Sequence, residues 1–225
     1  MDWNTLLFVI FPYVSLFIAI VVTIYRSIYR PFSISSLSSQ LLERQQLFWG
    51  SIPFHWGITI ILTGHLIAIF IPQSIVLWNA EPLRLYLLEF SGIGLGLWAT
   101  IGMVVLLLRR VSVSRIRAVS TPMDYVVVLL ILVSLVTGVT IASYYRWGSY
   151  WFTGIFTPYV WSILTLRPNA APLAPLPFII KLHVFNFFIL TMAFAFSRLV
   201  HIIAWPLGYL LRPWQIVLWL RKTRA

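Results

Sequence analysis

The chain has 225 residues, of which 60% are hydrophobic and only 9% charged, with a net charge of +11 and a mean hydropathy of +0.93. Soluble domains are about one quarter charged, so water is excluded as the main solvent; apolar runs near the roughly 20 residues that cross a bilayer mark an all-α, multi-pass membrane protein. The lack of cysteine excludes disulfides, thiolate-bound iron–sulfur clusters, finger-type zinc and covalently attached c-type haem, so any iron–sulfur relay belongs to another polypeptide.

Five transmembrane helices are expected in chain order. The first covers residues 6–25; Met1-Asp2-Trp3-Asn4 lacks the positive start of a signal peptide, and the run behind it is long for one, so the helix is expected to be retained. The second, 52–71, carries His55 and His65. The third, 87–108, runs into Arg109 and Arg110, and the fourth covers 125–145. A connection rich in Trp, Tyr and Pro follows, in which 150–166 reads as a short interfacial helix with aromatics at headgroup level. The fifth span, 178–204, carries His183 and His201. A basic tail, 207–225, with Trp214 and Trp219, reads as a headgroup anchor and a docking surface for a cytoplasmic partner. No repeat or second domain is visible, so 1–225 is one membrane domain.

Charge sets the expected orientation. With the N-terminus outside, the inner side receives Arg26, Arg30, Arg44, Arg109, Arg110, Arg115, Arg117, Arg198, Arg212, Arg221, Lys222 and Arg224, and the outer side keeps Arg84, Arg146, Arg167 and Lys181. Positive charge gathers on the cytoplasmic side of membrane proteins, which predicts N-terminus out and C-terminus in. The same bias accounts for the net charge without nucleic acid, since no basic segment is free of membrane-length apolar neighbours.

All four histidines fall in two spans. Intramembrane ionisable residues are costly and point to function. Because the second and fifth spans run in opposite directions, His55 and His201 share the inner level, and His65 and His183 the outer. Along ideal helices the separations are about 15 Å on the second span and about 27 Å on the fifth. Eighteen residues put both rings of the fifth span on one face, whereas ten leave those of the second about 80° apart. Two opposed imidazoles at each level suit low-spin haem; one haem, another metal or ligand, or a packing role also fit the spacing. A divalent ion would want further ligands, yet Asp2, Glu43, Glu81, Glu89 and Asp124 are the only acidic residues, and none is central in a histidine-bearing span. Gly57, Gly64, Gly92, Gly94, Gly96 and Gly102 would admit either a macrocycle or a neighbouring helix. Arg109, Arg110 and Arg198 stand where the anionic propionates of an inner haem would need partners.

These residues carry a resemblance. Ser38-Ser39-Gln40-Leu41-Leu42-Glu43-Arg44, Phe54-His55, Gly64-His65, Arg115-Ile116-Arg117-Ala118 through Thr121 and Asp124, Leu182-His183, and Phe196-Ser197-Arg198-Leu199-Val200-His201 are similar to the gamma subunit of membrane-bound respiratory nitrate reductase. The resemblance spans essentially the whole chain. It implies a diheme cytochrome b of a bacterial or archaeal cytoplasmic (inner) membrane, with two haem b groups on His55 with His201 (inner haem) and His65 with His183 (outer haem). It further implies quinol oxidation near Gly64 and His65 with protons released outside. Electrons would then pass to an iron–sulfur subunit and a molybdopterin catalytic subunit on the cytoplasmic side. Where the family carries a lysine near the quinone pocket, Arg84 is the nearest counterpart here, in a connection about one residue shorter; Arg and Lys differ as donors. A similar cytochrome serving another molybdenum or sulfur-metabolising complex, including nitrite oxidation, would read alike. A haem-free membrane anchor or transporter is the competing class, for which broken spans and central carboxylates would be the signs.

Overall fold

The computed structural model describes residues 2–30 and 45–202. The 38–44 segment of the resemblance, the tail 207–225 and the basic residues Arg44, Arg212, Arg221, Lys222 and Arg224 lie outside the described residues. The described chain is all-helical, without strands. Four helices are long and apolar enough to cross a membrane: α1 (Trp3–Tyr29), α2 (Gln45–Phe70), α4 (Pro82–Ser112) and α6 (Pro122–Tyr144). Short helices α3 (Pro72–Trp78), α5 (Ser114–Ala118) and α7 (Thr157–Leu164) lie in the connections, and α8 (Phe178–Phe194) follows the longest of them. The first four expected spans are thus each matched by a longer helix, the second and fourth to within one residue at the C-terminal end.

Proline and capping chemistry fix where these helices begin. Pro72, Pro82 and Pro122 each occupy the first helical position, where the missing N–H costs nothing and φ is already helical. At α6 the Thr121 backbone N–H also donates to the Asp124 carboxylate at 2.9 Å, completing a capping box. After α6 the chain turns on Trp147, a bulky residue in the left-handed region at φ 63, whose ring packs edge-on against Tyr86 at 5.4 Å.

The fifth expected span is not one continuous helix. α8 stops at Phe194, and a separate 3₁₀ turn, Arg198–Ile202, carries His201. Ser197 makes the break: its hydroxyl donates to the Phe194 carbonyl at 3.2 Å and accepts the Leu199 N–H at 3.2 Å. Arg26, from α1, donates to the carbonyls of Ala195 and Ser197 and so satisfies groups that a continuing helix would have used itself. At 17 residues α8 is about 25 Å long, short of the roughly 30 Å hydrocarbon core. The five-turn arithmetic between His183 and His201 does not run through this break.

Packing orders the long helices α1–α8–α6–α4–α2. The tightest contact is α2 on α4. A Cβ added to Gly57 would meet the Ala99 Cβ and Leu95 carbonyl at 2.8 Å, and one on Gly102 would meet the Gly50 carbonyl at 2.7 Å. Gly57, Gly96 and Gly102 therefore serve helix packing, as small residues do in bilayers, whereas Gly64, Gly92 and Gly94 have open space at the Cβ position. The two histidine-bearing helices, α2 and α8, are the outermost and next-to-outermost at opposite ends of that order.

The bundle has two unlike ends. At the aromatic end, one face of α7 packs into the protein: Tyr159 and Ile163 are buried with Phe8, Leu173, Val184 and Phe188. Tyr159 donates to the Phe8 carbonyl in a widened, π-helical turn of α1 at 2.9 Å. Thr157 and Trp161 donate to the Ala68 and Ile69 carbonyls, each at 2.9 Å, covering the C-terminal carbonyls of α2. At the arginine end, Asp124 lies between Arg110, at 3.2 Å, and Arg198, at 3.3 Å.

Candidate functional site

The four imidazoles share one hydrogen-bonding state. His55 Nδ1 is 2.8 Å from the Ser51 carbonyl, His65 Nδ1 is 2.8 Å from the Ile61 carbonyl, and His201 Nδ1 is 2.6 Å from the Arg198 carbonyl. A carbonyl can only accept, so each Nδ1 carries the proton and each Nε2 keeps its lone pair. His183 reaches the same state by another route. Its Nδ1 is 2.8 Å from the Thr137 hydroxyl, whose own proton is directed at the Val133 carbonyl at 2.6 Å. Thr137 therefore accepts, and His183 donates from Nδ1.

Locking one ring nitrogen as donor is how proteins fix a metal-ligating histidine. His55, on α2, and His201, beyond α8, face one another with ring centroids 6.5 Å apart. Two metal–nitrogen bonds of about 2 Å each, with roughly 1 Å from each nitrogen to its ring centre, span about 6 Å, so this pair is spaced for one metal ion between two imidazoles. His65 stands on α2 and His183 on α8. Among the described residues no group of three or more His, Asp or Glu side chains converges. Paired imidazoles without carboxylates suit an iron whose other four ligands come from a macrocycle, and the residues present fit haem.

The arginines divide. Arg109 is buried. Arg110 holds Asp124, donates to the Ser120 hydroxyl at 3.0 Å and lies over the Tyr125 ring. Arg198 holds Asp124 and donates to the Val119 carbonyl at 3.3 Å, while its own carbonyl receives His201. In this structure Arg110 and Arg198 thus position protein groups.

At the aromatic end, Gly64 and His65 sit on α2, with Phe152 edge-on to the His65 ring at 5.1 Å. Arg84, at the start of α4, lies over the Trp78 ring at 5.7 Å, and its buried Nε has no protein partner. Nearby, Glu89 accepts the Ser149 N–H and hydroxyl at 2.9 and 2.6 Å, and Tyr150 donates to the Asn79 carbonyl at 2.7 Å. No hydrogen bond joins Arg84 to His65 among the described residues.

Several residues here escaped the sequence reading. Thr137 and Gly138 lie on a helix without histidines: a Cβ on Gly138 would meet His183 Cε1 at 3.2 Å. Asn186 donates to Ser134 at 2.6 Å and to the Leu130 carbonyl at 2.8 Å, tying α8 to α6 one turn after His183. A small polar-plus-glycine pair inside an otherwise apolar span was the available signal.

Comparison with known proteins identifies the family of the chain. The family described as "Nitrate reductase gamma subunit" matches residues 4–220. The nitrate reductase gamma chain of Bacillus subtilis (strain 168) is 34% identical over 211 residues, covering 92% of this chain and 94% of that protein. The respiratory nitrate reductase 1 gamma chain of Escherichia coli (strain K12) is 29% identical over 219 residues, covering 95% of this chain and 96% of the relative. The nitrate reductase-like protein NarX of Mycobacterium tuberculosis is 30% identical over 219 residues, 94% of this chain but 33% of that longer protein.

Proposed function

The chain belongs to the nitrate reductase gamma subunit family, and on that premise we propose that it is the diheme cytochrome b subunit of a quinol-oxidising nitrate reductase complex. The observation that carries the reading is the set of four Nδ1-protonated histidines, with His55 and His201 spaced for a single metal ion. His55 with His201 hold one haem b, and His65 with His183 hold the other. Bound there, haem would supply an iron that accepts and passes on one electron at a time.

The protein's own residues set the rest of the scheme. The family, the apolar helices and the arginine count together support five spans in a cytoplasmic membrane. The arginine end then faces inward, toward an iron–sulfur subunit and a molybdopterin catalytic subunit, and the aromatic end faces out. Gly64 leaves open space beside His65, and the unpartnered Arg84 Nε–H is a buried donor at the same end. Together they support a quinol headgroup there, oxidised with proton release to the outside. Arg109, Arg110 and Arg198 supply the positive charge that inner propionates need, Arg110 and Arg198 while also holding Asp124.

The direct test is a reduced-minus-oxidised spectrum of the purified chain with pyridine-hemochrome quantification. About two b haems per polypeptide are expected. No haem, in native membranes as well as in detergent, would overturn the reading in favour of a haem-free anchor.

A further inference from the structure

Three of the four histidines lock their Nδ1–H on a carbonyl three or four residues earlier in their own segment. Such a lock exists wherever the local turn exists, and no distant side chain is needed to make it. His183 turns away from its own helix and depends on α6. Its hydrogen bond runs to Thr137, 46 residues earlier in the chain. The threonine hydroxyl is itself aimed by the Val133 and Ser134 carbonyls, at 2.6 and 3.2 Å. Thr137 is buried, so water does not substitute for it readily. Gly138, next in sequence, leaves room for the ring, which a Cβ would crowd at 3.2 Å. The Asn186–Ser134 and Asn186–Leu130 bonds hold the same stretch of α6 and α8 together one turn away.

We propose that Thr137 is a positioning residue for the outer haem: it fixes the tautomer and ring plane of His183 and, through that hydrogen bond, tunes the reduction potential on this one side of the bundle. This rests on the diheme reading. The physical sense of the effect is fixed. An acceptor on Nδ1–H makes the imidazole a stronger donor through Nε2, and a stronger donor favours oxidised iron. Removing the acceptor weakens the donor and raises the potential. Ser134 offers a carbonyl as a fallback acceptor near His183, which limits the size of the change but leaves its sign.

The experiment is a redox titration of the purified complex, followed in the haem α-band and by low-spin EPR, for wild type, Thr137→Val and Thr137→Ser. A His183→Ala variant identifies the outer component as the one it removes. Thr137→Val is expected to raise the reduced-to-oxidised ratio of that component about three- to tenfold at fixed ambient potential, at most about 59 mV for one electron. Its EPR signal should shift as the ring plane relaxes, the inner component should stay in place, and Thr137→Ser should restore both. Loss of the outer haem in Thr137→Val with retention in Thr137→Ser supports the same conclusion. An unchanged outer component in Thr137→Val, or equal loss in the valine and serine variants, would overturn it, because the hydroxyl would then have no role beyond volume. A wild-type protein lacking two titrating b components would instead sink the diheme reading itself.

Discussion

The histidines at the arginine end and His183 at the aromatic end are held in different ways. At the arginine end, both rings are locked by backbone: His55 on the Ser51 carbonyl and His201 on the Arg198 carbonyl. The difficulty there is to hold the short turn bearing His201, because α8 has already ended. Charged side chains do that work, with Arg26 on the Ala195 and Ser197 carbonyls and Asp124 on Arg198. At the aromatic end His183 lies within a regular helix and needs no such scaffold, yet its ring is aimed by a side chain of α6. The arginine end anchors the backbone that locks its rings with ion pairs; at the aromatic end His65 is locked by its own helix, on the Ile61 carbonyl, and His183 alone by a side chain of a neighbouring one. Charge is costly in hydrocarbon, and the ion pairs stand where the turn bearing His201 has no long helix to carry it.

The largest expected effects test whether the pairs are independent. His65→Ala or His183→Ala should lower haem content from about two per chain to about one and abolish quinol oxidation. His55→Ala or His201→Ala should leave the outer haem in place and stop electron delivery to the partner subunit. Haem quantification and quinol-dependent dye reduction distinguish the two outcomes. An outer variant that kept both haems would break the pairing.

The next effect belongs to the arginine end. Asp124 is buried between two guanidinium groups. Asp124→Asn leaves Arg110 and Arg198 without their common counter-charge; losing a buried charged partner costs about 1–3 kcal/mol. The Arg198–Ile202 turn should loosen, and loading of the inner haem should fall by about tenfold, while the outer component keeps its potential. A smaller effect, at the other end of the bundle, is expected from Gly138→Ala. The added methyl would press on the His183 ring at 3.2 Å, so the outer component alone should change, with loading reduced a few-fold. Difference spectra of membranes expressing each variant check both. Equal loss of both haems in either variant would mean that the ends are not separate units.

Much of this was legible in the sequence, and what was not has a common cause. The helices carrying His55, His65 and His183 follow from apolar runs, because burial in a bilayer leaves the backbone few alternatives. The starts of α4 and α6 fall earlier than the apolar runs at 87 and 125 suggest, because Pro82 and Pro122 at the first helical position begin each helix before its apolar stretch. The break after Phe194 was hidden, since apolar residues continue on both sides of Ser197-Arg198 and the groups that stop the helix include Arg26, 169 positions away. The packing of one face of α7 into the protein, and the pairing of Thr137 with His183, are likewise contacts between distant segments. Glycines illustrate the limit well: Gly57 and Gly64 are alike in sequence, but one packs against α4 and the other faces open space.

The smallest effect is the one that separates a hydrogen bond that matters from one that is merely present. Ser51 Oγ lies 3.0 Å from His55 Nδ1, a contact that in isolation looks like the Thr137–His183 bond. The difference is the Ser51 carbonyl, which accepts the same N–H at 2.8 Å and survives any substitution of the side chain. Ser51→Ala removes a second acceptor from a donor that has only one proton to give, and the position lies outside the tightest packing, so the change should stay within about 0.5 kcal/mol. The inner component of the redox titration should therefore move by less than about twofold in its reduced-to-oxidised ratio. A shift in Ser51→Ala as large as that in Thr137→Val would show that hydroxyls tune both ends alike, and the contrast between a backbone-locked and a side-chain-locked ligand would have to be given up.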